Sequence, residues 1–340
     1  MPAGTEAPVG SDEELLGPSS AGAYLVRRGV LRPGVLKVEA LGGGVSNLVL
    51  AASDGYRSVV LKQALTRLRV QEQWLAPPGR AMAEADALEL VGRLTPSKVP
   101  KLVDRDPARH VVVIEKAPGD WVDWKSLLLK GDIRPEIAGR LGEVLALWHS
   151  QTAGTSLPPS LQPSANFEAL RVAPYYRVVA EKAPELAPEV LSLAAQLLAR
   201  RACLVHGDFS PKNVLVGGQG LWVVDFEVAH LGDPAFDIAF MVSHLALKSV
   251  HMPAYAPALD ACMVEFASSY EAHLGGGLQV AWAYVLAHVG CLLLARVKGK
   301  SPAEYLKGPE QAAAWALGTD LLHHPPEALG QLSSRRDAVL

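Results

Sequence analysis

Between about residues 36 and 64 the hydrophobic positions come in short β-rich runs, VLKVEAL, NLVLAAS and RSVVLKQAL, punctuated by GGG and SDG. Apolar runs of this length bounded by glycine predict strands, and Asp54-Gly55 between two of them predicts a hairpin. The period then changes. RAMAEADALELVGRL places Met82, Ala85, Leu88 and Val91 on one face of a helix. RHVVVIEKA, residues 109 to 117, predicts another strand, closed by a turn at PGD. The first part therefore reads as a mostly antiparallel sheet with one helix.

Beyond it the texture is helical. EIAGRLGEVLALWHSQT and PEVLSLAAQLLARRA are amphipathic helices joined by proline-rich connectors at 157–163 and 183–188. CLVHGD, NVLVGG and LWVVDFE interrupt them as brief strands, and three or four more helices follow from about residue 235. The fold class predicted is α+β and bilobal. Residues 1–20 form a flexible lead-in, 21–116 a small β-rich lobe, and 117–340 a hinge with a large, mainly helical lobe. No internal repeat or long low-complexity segment is present.

Composition narrows the class of protein. Of 340 residues, 49% are hydrophobic and 20% charged, a soluble globular profile. A net charge of −3 gives no broad affinity for nucleic acid or an anionic membrane. Cys203, Cys262 and Cys291 are far apart and in apolar company, without metal-ligand spacing, so they read as buried thiols of a reducing cytoplasm. The N-terminus lacks the basic start and apolar core of a signal peptide. VAWAYVLAHVGCLLLARV, broken by His288 and Gly290 and ended by Arg296, predicts a buried core helix rather than a membrane span.

The candidate chemistry begins at LVHGDFSPKNVLV. Asp208 opens a loop between two strands, and Asn213 follows five residues later. HGD alone is compatible with an ordinary turn. Asp225 changes that, because it ends the apolar run LWVV, and a carboxylate leaving a buried strand needs a compensating charge such as Mg²⁺. Together the three suit a base with a metal-holding pair for phosphoryl transfer. In the small lobe, Gly43 and Gly44, followed by Ser46 and Asn47, form a turn whose backbone can approach phosphates. Lys62, inside the strand VVLKQ, wants an anionic partner, and Glu84 on the next helix can supply it, with Asp86 and Glu89 as rivals.

The ordered set GGGVSN, VVLK, AEADAL, HGDFSPKN and VVDFE with GDPAFDIA resembles the aminoglycoside phosphotransferase and choline kinase superfamily of small-molecule kinases, over roughly residues 36–300. The resemblance implies a protein-kinase-like fold, ATP and Mg²⁺ as cofactors, and transfer of the γ-phosphoryl group to the hydroxyl of a small-molecule acceptor. It implies Asp208 as catalytic base, Asn213 and Asp225 as metal ligands, Lys62 as phosphate-binding lysine and Glu84 as its partner. His206 would be structural, and Asp237 would brace the catalytic loop. VIEKAPG falls at the interlobe hinge, which puts backbone groups of Glu115 and Ala117 near adenine.

A narrower stretch, LKQALTRLRVQEQWLAPPGRAMAEADAL, is similar to methylthioribose kinases through Lys62-Gln63, Arg69, Val70 and Trp74. The catalytic half departs from their pattern, which runs from HGD through a different loop to DPE, so the acceptor expected is a related sugar or polyol. An aminoglycoside or amino-alcohol acceptor is the alternative, and a catalytically inactive nucleotide-binding scaffold is the alternative of another class. Several residues stay open between a role at the site and a structural one: Glu227 at the metal, Arg296 and Lys300 toward an anionic substrate group, Trp121 and Trp124 against a sugar. His149, His244, His251 and His288 read as packing or solvent residues.

Overall fold

The structure, a computed structural model, describes residues 15–42, 46–68, 76–218 and 220–340. Its first unit is a five-stranded antiparallel sheet. The strands are β1 (Lys37–Ala40), β2 (Asn47–Ser53), β3 (Ser58–Ala64), β4 (Leu102–Asp106) and β5 (Val111–Glu115), in the order β1-β2-β3-β5-β4. The β2–β3 hairpin turns at Asp54-Gly55. Gly55 adopts a left-handed φ of 86°, and the Asp54 carboxylate accepts from the backbone N–H groups of Tyr56 and Arg57.

Strand alternation gives the sheet two apolar faces. Leu50, Ala52, Val59, Leu61, Val111 and Val113 point to one side, where α1 (Pro18–Arg27) covers them with Ala21, Tyr24 and Leu25. Val112 and Ile114 point to the other and join α2 (Arg80–Leu94), whose Ala85, Leu88 and Val91 are buried. Helix α1 adds a second helix to the one the pattern predicts. Its residues 18–20 belonged to the expected lead-in, the rest of which lies largely outside the described residues.

After the sheet come β6 (Val122–Asp123), α3 (Trp124–Leu129) and α4 (Pro135–Thr152). Short helices α5 (Ala165–Phe167) and α6 (Val178–Lys182) flank a π-helical stretch, Glu168–Arg177, and α7 (Ala187–Ala199) follows. Then β7 (Cys203–Val205), β8 (Val214–Gly217), β9 (Gly220–Val223) and β10 (His230–Gly232) frame the segments bearing Asp208, Asn213 and Asp225, in two small sheets, β6-β8-β9 and β10-β7. Helices α8 (Ala235–His251), α9 (Ala256–His273), α10 (Trp282–Lys298), α11 (Gly308–His323) and α12 (Leu332–Asp337) complete the lobe.

One core cluster runs from α2 and the inner face of β5 into the helical lobe, so the lobes share a continuous apolar interior. The predicted core helix is α10. Val285 to Arg296 are all buried, and Gly290 lies so close to Gly318 of α11 that an added Cβ would meet its carbonyl oxygen at 2.7 Å. Among the described residues no helix is long and apolar enough to cross a membrane. The three cysteines are free and buried, and burial pushes their thiols up in pKa.

Candidate active site

The segment between β7 and β8 is held from behind by Asp237, on the first turn of α8. Its carboxylate accepts the backbone N–H of His206 at 2.7 Å and of Gly207 at 2.9 Å. Gly207 has φ of 75°, and a Cβ there would meet the Val228 carbonyl oxygen at 2.8 Å, so both conformation and space require glycine. His206 Nδ1 accepts the Asp208 N–H at 3.1 Å while Nε2 meets the Val224 carbonyl at 3.2 Å. That pattern needs the neutral Nε2–H tautomer, and burial lowers the His206 pKa accordingly. His206 thus ties the loop bearing Asp208 to the residue preceding Asp225.

Both oxygens of Asp208 have donors. Arg171 Nη2 lies 2.8 Å from Oδ1, and Asn213 Nδ2 donates to Oδ2 at 2.7 Å and to the Asp208 carbonyl at 3.0 Å. With its amide nitrogen committed, Asn213 has Oδ1 free of hydrogen bonds among the described residues. Asp225 has a left-handed φ of 73°, a conformation Asp tolerates better than most residues. Its Oδ1 accepts from Lys62. The oxygens remaining on Asn213 and Asp225 are hard donors, and too few to enclose an ion by themselves. This fits Mg²⁺, which keeps waters and substrate phosphates in its shell.

Lys62 lies on the inner face of β3, one alternation beyond Val60, and its Nζ is 2.5 Å from both Glu84 and Asp225. Burial works to depress its ammonium, but Asp225, Glu84 and Glu227 together outweigh that and raise its pKa. Burial likewise opposes the Asp225 carboxylate, and Lys62 and Lys212 overcome it, holding the group well below the usual range. One ammonium does not fully offset two enclosed carboxylates. Burial pushes Glu84 up to about 7 against the pull of Lys62. The rivals Asp86 and Glu89 both pair with Arg105 of β4 instead.

Gly43 and Gly44 lie outside the described residues, as do Arg69, Val70 and Trp74. Ser46 and Asn47 are described, and their side chains turn to Glu227, at 2.6 and 2.9 Å. The backbone N–H of Glu115 bonds the Lys101 carbonyl, whereas that of Ala117 has no partner among the described residues, and both residues line the cleft.

Two arginines complete this arrangement without having been signalled by a motif. Arg80, fully buried at the start of α2, donates to Glu227 at 2.9 Å and to the carbonyls of Ser46, Leu65, Ala76 and Pro77. Glu227 is therefore the acceptor of an interlobe link. Arg171, in the π-helical stretch, adds a bond from Nε to the Gly207 carbonyl at 2.7 Å. Its only sequence signal is a cation in an apolar segment three residues before Pro174. Trp124 is fully buried; Trp121 packs against Trp222 and the glycines of the β8–β9 hairpin while also lining the cleft. His149 is buried between Tyr270 and Asp237.

Asp208, Asn213, Asp225, Lys62, Arg171 and Glu227 border one cleft of about 1130 Å³ between the sheet and the helical lobe. Lys62, Asn47 and Ala117 line its upper part, Asp208, Asn213 and Asp225 its middle, and Lys125, His244, Arg296 and Tyr305 its helical end. Lys300, exposed just past α10, is not part of the lining.

A small sheet and a helical lobe enclosing a carboxylate–amide–lysine cleft define a protein-kinase-like fold of the small-molecule type. Residues 37–269 match the model of the phosphotransferase enzyme family, APH, and the chain belongs to that family. It is 28% identical over 256 residues to the methylthioribose kinase of Yersinia enterocolitica, which covers 67% of this chain and 64% of that protein. It is 27% identical over 303 residues to that of Yersinia pseudotuberculosis, covering 81% and 72%. Among solved structures, amicoumacin kinase hAmiN in complex with AMP-PNP, Ca²⁺ and Ami has a TM-score of 0.58 at 17% identity, covering 91% of this chain and 96% of that one. Choline kinase LicA from Streptococcus pneumoniae has a TM-score of 0.54 at 18% identity, covering 89% and 99%. These two likenesses concern the fold.

Proposed function

We propose that the protein is an ATP- and Mg²⁺-dependent kinase that transfers the γ-phosphoryl group to a hydroxyl of a sugar or sugar-like small molecule. The observation that carries this reading is Asp208, oriented through both oxygens by Arg171 and Asn213, in the same cleft as Lys62 and Asp225. The methylthioribose kinase relatives support the acceptor class, and family membership supports the reaction.

Asp208 is the base. It accepts a hydrogen bond from the acceptor hydroxyl and takes its proton as the phosphoryl group leaves the nucleotide. Arg171 fixes the carboxylate's direction, so little reorganisation is needed at reaction. Lys62, kept charged by Glu84 and Asp225, binds nucleotide phosphates. The Ala117 N–H is available to the adenine edge. Asn213 Oδ1 and Asp225 Oδ2 would hold Mg²⁺, which supplies neutralisation of phosphate charge when bound.

Asp208→Asn keeps the shape and removes the base. The expected result is a loss of about 10²–10⁴-fold in kcat, the usual contribution of a positioned acid–base group, with ADP affinity by calorimetry unchanged. Near-normal turnover of the variant on an identified acceptor would refute the assignment.

A further inference from the structure

The helical end of the cleft buries more positive charge than the chain itself compensates. Lys248 of α8 is fully buried, and among the described residues its ammonium donates only to the His244 carbonyl, at 3.1 Å. Arg296 of α10 is 9% exposed and, among the described residues, bonds only neutral oxygens, the carbonyl and hydroxyl of Ser301. Lys125 of α3 shares the Tyr305 ring with Lys248, their ammonium groups 5.9 and 5.7 Å from its centroid. Two carboxylates are close, but both are engaged. Glu304 pairs with Lys125, and Asp123 caps α3 through Ser126.

Unfilled donors lie in the same place. Arg296 Nε and the Tyr305 hydroxyl are both buried without a hydrogen-bond partner among the described residues, and both residues line the cleft. Burying cations and leaving donors unmet costs several kcal/mol unless something supplies charge and acceptor oxygens. Carboxylate and phosphate groups do both, and a guanidinium is shaped to bind them. A neutral polyol supplies oxygens without charge, and a cationic acceptor adds to the repulsion.

We propose that the acceptor carries, besides the hydroxyl that Asp208 activates, an anionic group, a carboxylate or a phosphate ester, which docks against Arg296 and Tyr305 with Lys248 behind them. This rests on the kinase reading above and narrows its acceptor to an acidic or phosphorylated sugar-like molecule. Burial of the cations is then offset in the ternary complex, and the docked anion fixes which hydroxyl reaches Asp208.

The test uses full-length protein with Mg²⁺ and AMP-PNP, titrated calorimetrically with ribose, ribonate and ribose 5-phosphate, and with methylthioribose and choline as neutral and cationic references. One of the two anions should bind at least about tenfold more tightly than ribose, a difference of about 1.4 kcal/mol. The ribonate and ribose 5-phosphate arms separate carboxylate from phosphate. Arg296→Gln and the volume-conserving Lys248→Met should each erase that preference while leaving AMP-PNP affinity unchanged. Equal binding of all sugars, or tighter binding of methylthioribose or choline, overturns the proposal. So does a loss of AMP-PNP affinity in the variants with anion preference intact, since the cations would then serve the nucleotide. Absence of AMP-PNP binding to the wild type sinks the kinase reading itself, a separate outcome.

Discussion

On the sheet side of the cleft, Lys62 is 2.5 Å from Glu84 and from Asp225, and Arg80 meets Glu227 at 2.9 Å. On the helical side, Lys248 and Arg296 hydrogen-bond only neutral oxygens among the described residues. The first wall balances each of its cations with its own carboxylates before any ligand arrives. The second leaves that balance to a ligand. The physical consequence is that mutations on the two walls should act in opposite directions. Removing a cation from a compensated set strands carboxylates, whereas removing one from an uncompensated set relieves the fold.

Lys62→Met is the strongest way to test the first half of that contrast. It leaves Glu84 and Asp225 facing each other in a buried site, and the expected loss is about 3–5 kcal/mol of unfolding free energy, read from denaturant melts. No measurable loss would mean that the carboxylates find other compensation. Arg80→Met should cost less, about 1–3 kcal/mol. Glu227 keeps Ser46 and Asn47 as donors, so the carboxylate is not stranded, although the Leu65 carbonyl loses its Arg80 partner. A cost for Arg80→Met above that for Lys62→Met would reverse the ranking and identify the interlobe link as the dominant charge set.

The two walls also differ in how far the sequence discloses them. Asp208, Asn213 and Asp225 lie within 18 residues, on the loop before β8 and just after the β8–β9 hairpin, so their relation follows from local spacing. Glu84 could be chosen as partner of Lys62 only loosely, because what removes Asp86 and Glu89 is Arg105 on β4. That strand escapes pattern reading: its sequence LVDRD is charged, as suits the edge of a sheet, and it lacks an apolar face. From the sequence Glu227 reads equally as a metal aid or a turn cap, because its partners lie 147 to 181 residues away in the chain. Arg171 acts from a π-helical stretch that no periodicity announces. The cationic end of the cleft is assembled from α3, α8, α10 and the loop after α10, which only tertiary packing brings together. Long-range pairing is what a single sequence carries least visibly.

Lys248→Met probes the second wall, where the expected effect has the opposite sign. Burial, then the charges of Lys125 and Arg296, bring its pKa down from 10.5 to about 7, with Glu304 and Asp123 opposing. Between those two pH values the unfolded chain binds a proton at this lysine that the folded chain releases. Stability from this group therefore rises with pH across that window, and its deficit is full below about pH 7. Lys248→Met should be more stable than the wild type at neutral pH, and its advantage should shrink by up to about 1.4 kcal/mol per pH unit on going upward. Subtracting the two proteins' melts removes the contribution of every other titrating group they share. A constant difference across pH would mean that Lys248 stays charged, with compensation already in place. Saturating the wild type with the preferred anion should raise the lysine's pKa back toward its ordinary value and flatten the slope, because the ligand supplies the charge that this wall of the cleft lacks.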